Sequence, residues 1–276
     1  MADVYTENMT RLPSEVGRLD QQFDLMTKNM GYIIHPSITL PSAPRIADMA
    51  TGTARFLLRL HPQYPDALME GFDISSDLFP SQDTLPSTIS LSVRDIKQPF
   101  PEHMHEQYDL VHVRLLVTAM RPDDWEPAVR NLSRVLRPGG YIQWEECDFL
   151  NAEWLKGVPD ARIEKTKFIG DAFRGALRSQ YEHGWNTLPE CMRVAGLTSI
   201  ISDVVSSDRV TETRESLTLN ILTLVFTWTR FKANGGESGP TFDDLDDLEK
   251  AVREEIKSGC YFKFNIHVAC AQKPPV

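Results

Sequence analysis

The stretch that decides the fold runs from residue 45 to residue 53 and reads RIADMATGT. An apolar run ends at Asp48 and Met49, a turn of small residues follows, and an apolar helical pattern begins at Thr53. Small residues let a ligand approach the backbone of such a turn, and the N-terminus of the next helix offers free N–H groups. The stretch therefore predicts a strand, a ligand-binding turn and a helix in succession.

The alternation of strand and helix continues downstream. Further strands are predicted at 67–72, 89–93, 108–113 and 141–144, and helices at 53–61 and 125–136. Such β/α units form a largely parallel sheet. Beyond residue 150 we expect helices at 160–181, 188–195, 211–234 and 242–257, and strands at 198–205 and 261–271.

Residues 1–40, which precede the first strand, have the pattern of a helical arm. Leu19, Phe23, Met26 and Met30 recur at spacings of three and four, which places them on one face of a helix. The arm is therefore expected to pack this face on the rest of the chain.

Composition excludes several classes of protein. The chain has 276 residues with 29 basic and 39 acidic side chains, a formal charge of −10 that argues against a general nucleic-acid binder. Its four cysteines form no Cys-x-x-Cys pair and no zinc spacing, so we expect no metal site and free thiols in a reducing cytoplasm. The most apolar stretch, 217–231, contains polar residues and is shorter than the ~20 apolar residues of a membrane span, so none is expected.

Three acids end successive predicted strands, namely Asp48, Asp73 and Asp95. Open α/β sheets bind ligands at this edge, and an acid after the second strand can accept the hydroxyls of a ribose. Ala50 replaces the first glycine of the dinucleotide fingerprint, and Asp48 would repel a pyrophosphate. An acid before the turn suits an amino group and a sulfonium, which indicates S-adenosylmethionine.

The chain resembles class I S-adenosylmethionine-dependent methyltransferases, and more narrowly those of fungal secondary-metabolism toxin clusters such as the gliotoxin N-methyltransferases. Six motifs carry the resemblance: IIHPSI (33–38), RIADMATGT (45–53), GFDIS (71–75), LFP (78–80), YDLVHVRLL (108–116) and LRPGGYIQWEE (136–146). It implies an α/β, Rossmann-like sheet of seven strands with the last strand antiparallel. It also implies one domain over 1–276, comprising an arm (1–43), a cofactor-binding core (44–150), and lid helices with closing strands (151–276).

The resemblance further implies which residues bind the cofactor, with S-adenosylhomocysteine as the product. Asp48, Ala50 and Gly52 would line the methionine end. Asp73 would hold the ribose, and Asp95 with Ile96 would flank the adenine. Ile74 and Arg114 complete the predicted set.

The sequence departs from the family pattern at three positions. Ala54 replaces a glycine, and its methyl group is expected to weaken cofactor binding without abolishing it. Arg55 replaces an apolar residue and is either solvated or paired with a carboxylate, such as Asp48 or that of the cofactor. Phe23 stands where the family often has a histidine, which puts a polar contact from the arm in doubt.

The predicted reaction is methyl transfer to O, N or S of a small hydrophobic metabolite. It depends chiefly on positioning, and a base is needed only if the acceptor must lose a proton. His112 and Glu146 are candidates for such a group, and Trp144, Trp185 and His183 for the substrate pocket, each with a structural role as the alternative. A protein that binds the cofactor but catalyses a pericyclic or dehydration step, or a non-catalytic regulator, stays open as an alternative, and the oligomeric state is not assigned.

Overall fold

The structure is a computed structural model, and it describes residues 3–235 and 245–275. One sheet of seven strands occupies its centre, in the order β3-β2-β1-β4-β5-β7-β6. The strands are β1 (Arg45–Met49), β2 (Leu68–Asp73), β3 (Ile89–Val93), β4 (Tyr108–Arg114), β5 (Leu136–Lys156), β6 (Thr198–Ser206) and β7 (Cys260–Gln272).

Nine α-helices are seen in the described residues. They are α1 (Val4–Asn8), α2 (Pro13–Met30), α3 (Arg55–Leu60), α4 (Trp125–Val135), α5 (Glu164–Ala176), α6 (Arg178–Tyr181), α7 (Leu188–Val194), α8 (Arg214–Gly235) and α9 (Leu245–Lys257). Helix α2 begins with a proline in its first turn and ends at Gly31, whose φ of 86° is readily adopted by glycine. The helical arm is therefore confirmed.

Strands β1 to β5 pair in parallel, whereas β7 lies antiparallel between β5 and β6. The carboxyl ends of β1, β2 and β4 consequently meet at one edge of the sheet. The predicted α/β architecture, with seven strands and an antiparallel last strand, is confirmed.

The two faces of the sheet carry separate apolar cores. Ile46 and Leu110 point to one face, where α2, α3 and α8 pack. Ala47 and Val111, their neighbours along the strands, point to the other face, where α4 and α7 pack. The alternation of side chains along a strand explains this division. The predicted arm face contributes Phe23, Met26 and Met30 to the first core.

Strand β5 differs most from the prediction, since it extends far beyond 141–144. Its first half pairs with β4, and it pairs with β7 over Tyr141–Asp148 and again over Glu153–Lys156. The acids at 145 and 146 interrupt the apolar pattern that predicts strands, yet both are fully buried through hydrogen bonds described below.

Two predicted helices also differ. The single helix expected at 160–181 is divided into α5 and α6, because Leu177 leaves helical geometry with φ −105° and ψ 17°. Helix α9 begins at Leu245, and the first three residues of the predicted helix 242–257 lie outside the described residues. No helix among the described residues has the length and apolarity needed to span a membrane.

Candidate functional site

A cleft lies at the edge of the sheet where β1, β2 and β4 end. Its empty volume is about 1150 Å³, counted to its open mouth. All eight residues predicted to bind the cofactor line it: Asp48, Ala50, Gly52, Asp73, Ile74, Asp95, Ile96 and Arg114. The fold thus brings the predicted set together, and their binding role stays a prediction.

The turn after β1 has an unusual backbone. Ala50, Gly52 and Ala54 have φ values of 59°, 51° and 59°. This left-handed conformation costs about 1–2 kcal/mol for a residue with a Cβ. The turn is held by Thr51, whose N–H donates to the carbonyl of Phe72 at 2.9 Å. Ala54 itself is fully buried in the core and does not line the cleft.

The second and third strand-end acids have carboxylates fixed by backbone donors. Gly52 N donates to Asp73 Oδ2 at 2.9 Å and Ser75 N donates to Oδ1 at 3.3 Å, while burial raises the pKa of Asp73. In Asp95, Oδ1 accepts from Lys97 N at 2.9 Å, but the buried Oδ2 has no hydrogen-bond partner among the described residues. Buried polar atoms are normally paired, so this oxygen suits a donor on a ligand.

The first strand-end acid, Asp48, has one partner in the protein for each of its carboxylate oxygens. His112 Nδ1 lies 2.7 Å from Oδ1, and Thr51 Oγ1 donates to Oδ2 at 2.6 Å. The His112 ring stacks on Phe56 with ring centroids 3.6 Å apart. Asp48 therefore fixes the turn and the histidine while its carboxylate lines the cleft.

His112 belongs to a buried charge network that continues to Arg114. Its Nε2 lies 3.6 Å from Glu145 Oε1, and Arg114 Nε donates to the other oxygen of the same carboxylate. Burial alone would lower the pKa of His112, but hydrogen bonds and charge from Asp48 and Glu145 outweigh it and raise the pKa. Burial likewise opposes ionisation of Glu145, but Arg114 and His112 bring its pKa down to about 2. Because both ring nitrogens of His112 face carboxylates, the side chain is poorly placed to act as a base.

Glu146, the other candidate for proton transfer, has a structural position. It is fully buried, outside the cleft, and accepts hydrogen bonds from Leu116 N at 2.8 Å, Val117 N at 3.2 Å and Trp144 Nε1 at 2.8 Å. Burial raises its pKa to about 7. Its observed contacts anchor the segment after β4, which corrects the suggestion of a role in proton transfer.

Family comparison identifies the part of the chain that contains this cleft. A family model described as "Methyltransferase domain" matches residues 46–140, which include β1 to β4 and all the predicted cofactor residues. Residues 46–140 thus resemble a methyltransferase domain.

Two fungal proteins are similar to this chain. Methyltransferase grgD of a Penicillium species is 39% identical over 141 residues, which are 48% of this chain and 48% of that protein. N-methyltransferase tcpN of Claviceps purpurea is 28% identical over 262 residues, which are 91% of each. For most of the first relatives, the match spans about half of their length. The resemblance to fungal secondary-metabolism methyltransferases is thus confirmed.

A solved methyltransferase has the same fold. The Haemonchus contortus phosphoethanolamine N-methyltransferase 2, solved with phosphomonomethylethanolamine and S-adenosylhomocysteine, is 13% identical. The match covers 90% of this chain and 53% of that chain with a TM-score of 0.52. At this identity the comparison supports the fold alone.

Helix α2 of the arm covers part of the cleft through contacts that the sequence did not reveal. Asp20 Oδ1 accepts from Thr53 Oγ1 at 2.6 Å, and Asp24 pairs with Arg55. The Arg114 guanidinium lies over the Phe23 ring, 4.1 Å from its centroid. Of the alternatives for Arg55, the structure favours pairing, but with acids of α2. Asp20 and Asp24 lie one helical turn apart in the sequence, and this spacing indicates that both acids share one face of α2.

The residues predicted for the substrate pocket lie elsewhere. Trp144 is fully buried against Trp125 on the α4 side of the sheet, with ring centroids 5.6 Å apart, because alternation turns it away from the cleft. Trp185 packs on His267 at 4.9 Å, and neither it nor His183 lines the cleft. No group of three or more His, Cys, Asp or Glu side chains in the described residues has the arrangement of a metal site.

A second cavity adjoins the cleft. Its walls come from α1, α2, β5, α5, α6, α8, β7 and the segment after β4, so no local pattern marks them. Aromatic side chains dominate these walls: Phe149, Trp154, Phe173, Tyr181 and Phe262.

Proposed function

We propose that the protein transfers a methyl group from S-adenosylmethionine to O, N or S of a small hydrophobic metabolite. The observation that carries the proposal is the cleft of the methyltransferase domain, which is lined by carboxylates at the ends of β1, β2 and β3. An enzyme of this class acts mainly by holding donor and acceptor in a reactive arrangement.

The chain's own residues fit the cofactor. Asp73 presents a carboxylate oriented by two backbone donors, which suits ribose hydroxyls. Asp95 Oδ2 lacks a partner among the described residues and suits the amino group of adenine. When bound, S-adenosylmethionine supplies an electrophilic methyl group on a sulfonium.

Nitrogen is the favoured acceptor atom within this proposal. The relative that matches over most of both chains is an N-methyltransferase by its name. No base is assigned, since His112 is held between two carboxylates and Glu146 lies outside the cleft. An acceptor that is already nucleophilic, or that loses its proton to water after transfer, requires none.

We further propose that residues 1–276 form a single domain that acts on a small molecule in the cytoplasm. We propose that it does not bind nucleic acid. All four cysteines are unpaired, as is usual in a reducing compartment. The net charge of −10 disfavours a polyanionic partner.

Calorimetric titration with S-adenosylhomocysteine tests the cofactor site. We expect the wild type to bind and Asp73→Ala to lose affinity by about 10- to 100-fold, the effect of removing a hydrogen bond to a charged group. Asp77→Ala, a change at an exposed acid four residues away, is the matched control and should retain wild-type affinity. A wild type that binds neither the cofactor nor its product would contradict the proposal.

Methyl transfer itself requires a second measurement. Incubation with methyl-labelled cofactor and an extract of fungal metabolites should move label into an organic-soluble product. Binding without transfer of label to any metabolite would instead favour the alternative of a cofactor-binding protein that does not methylate.

A further inference from the structure

The second cavity and the cleft share part of their walls. Four residues line both, namely Tyr5, Leu19, Gln22 and Leu115. Three of them belong to the arm, and Leu115 follows β4 directly. A molecule that fills the second cavity would therefore meet a molecule in the cleft where these residues lie.

Gln22 stands out at this junction. The residue is only 6% exposed, yet no described residue makes a hydrogen bond to its side-chain amide. Its side-chain oxygen and nitrogen are not among the completely buried polar atoms that lack a partner. Each of them therefore retains some exposed surface. Because these atoms remain accessible and have no partner in the protein, they are free to make hydrogen bonds to a ligand in place of water.

The charges around the second cavity are balanced. Of its described lining residues only Arg18 and Arg174 are charged. Arg18 donates to the buried Glu15 from Nε at 2.8 Å and lies 2.7 Å from it through Nη2. Arg174 donates to Asp171 at 2.6 Å and to the carbonyl of Ala152 at 2.6 Å. Another ionised group among the aromatic walls would lack a counter-charge and would lose its hydration.

One further donor is consistent with a neutral ligand. Arg18 Nη1 is buried and has no hydrogen-bond partner among the described residues. Because Glu15 already compensates the guanidinium charge, an uncharged oxygen suits this donor better than an anion.

We propose that the second cavity is the acceptor site, that it selects uncharged, largely apolar molecules, and that Gln22 positions the acceptor by hydrogen-bonding its polar group at the junction. This inference rests on the proposed function, because it requires a methyl donor in the adjoining cleft. Gln22 is a positioning and specificity-determining residue in this arrangement.

A pair of fluorescent probes tests the selection against charge. N-phenyl-1-naphthylamine and 8-anilino-1-naphthalenesulfonate share one ring skeleton, and only the second carries a sulfonate. With the cleft saturated by S-adenosylhomocysteine, we expect the uncharged probe to bind at least about tenfold more tightly, since burying an unpaired charge costs more than a neutral group. Equal affinities, or preference for the sulfonate, would overturn the selection for uncharged molecules.

A cavity-filling variant locates the uncharged probe. Leu224 lines the second cavity but not the cleft and is half-buried, so Leu224→Trp extends into the cavity from a tolerant position. We expect this variant to lose binding of N-phenyl-1-naphthylamine by at least about tenfold while it binds S-adenosylhomocysteine like the wild type. Unchanged probe affinity would place the probe elsewhere and would refute the assignment of the cavity.

Gln22→Leu tests the hydrogen bond without creating a void. We expect the affinity for N-phenyl-1-naphthylamine to fall about 3- to 10-fold, the value of one hydrogen bond, and that for 1-benzylnaphthalene, which lacks the N–H, to stay unchanged. Gln98→Leu, at an exposed glutamine, is the matched control and should affect neither probe. Equal losses for both probes would indicate a merely structural role for Gln22.

These outcomes separate the inference from the function on which it rests. If the wild type binds no S-adenosylhomocysteine, the proposed function fails. If it binds this product but its affinities for the two naphthyl amines do not follow the expected pattern, only the assignment of the acceptor site fails.

Discussion

At the scale of single residues, Glu146 couples protonation to stability. Its carboxyl group is fully buried, and burial raises its pKa to about 7, whereas in the unfolded chain the ordinary value of 4.5 applies. At a pH between 4.5 and 7, Glu146 is protonated in the native state but has lost its proton in the unfolded state. The Glu146 contribution therefore stabilises the fold at low pH and is lost as the pH rises towards 7.

Glu146→Gln should remove this pH dependence. We expect the free energy of unfolding of the wild type to fall between pH 5 and pH 8 by about 3 kcal/mol more than that of the variant. Urea denaturation at both pH values measures the difference, in which contributions from other titrating groups cancel. Parallel pH profiles of the two proteins would show that Glu146 does not titrate in this range.

Ala54 gives a second prediction at this scale. The sequence suggested that its methyl group crowds the cofactor, but the residue is fully buried and lies outside the cleft lining. Ala54→Gly should therefore leave the affinity for S-adenosylhomocysteine within about twofold of the wild type, since no lining atom is removed. A clear gain in affinity, measured by calorimetry, would show that the methyl group obstructs binding after all.

At the scale of elements, α2 is held on the core by side chains rather than by backbone pairing. Arg55 on α3 pairs with Asp24, and lies 4.0 Å from Asp20 on the same helix. Ion pairs of this exposure contribute about 0.2–1 kcal/mol each, too little to fix a helix alone. The ion pairs of Arg55 with α2 are thus weak enough to break when the cofactor enters or leaves.

Arg55→Gln should loosen α2 selectively. We expect amides within Pro13–Met30 to exchange their hydrogens faster, and S-adenosylhomocysteine to dissociate about 2- to 5-fold faster, as expected from the loss of such a pair. Hydrogen-exchange mass spectrometry and stopped-flow kinetics measure the two effects. Arg193→Gln breaks a comparable pair with Glu190 on the remote helix α7 and should change neither.

The success of sequence-based prediction also follows element by element. The residues predicted to bind the cofactor lie next to strand ends, so local patterns were enough to predict that they meet in one cleft. Trp144 was predicted to line the substrate pocket but lies on the opposite face of the sheet. The sequence predicts the strand, but it does not indicate which face of the strand lies towards the ligand. The full outline of the second cavity could not be predicted, because distant segments such as those around Gln22 and Phe262 meet only in the folded chain.

At the scale of the whole molecule, β7 is the strand that unites the sheet. It pairs with β5 on one side and β6 on the other, and Ile266 and Val268 are almost completely buried. Strand β3, in contrast, lies at an edge, and its Val93 is 57% exposed. The centre of the sheet should consequently open only when the whole domain unfolds.

Hydrogen exchange resolved by residue should show this gradient. We expect the amides of 266–270 to exchange most slowly. In mild urea, their protection should decrease in parallel with the global free energy of unfolding. Amides of β3 should exchange through local opening that urea hardly affects. Similar, urea-independent exchange in both strands would mean that β7 does not hold β5 and β6 together in one cooperative unit.

The place of β7 in the sheet also bears on how the protein is made. As the chain leaves the ribosome, β6 emerges before α8 and α9, and its sheet partner β7 emerges after them. Until then the backbone groups of β6 lack their partner strand, and an unpaired strand is a site for aggregation. A nascent chain halted before residue 260 should therefore bind chaperones, and release of β7 should end that binding.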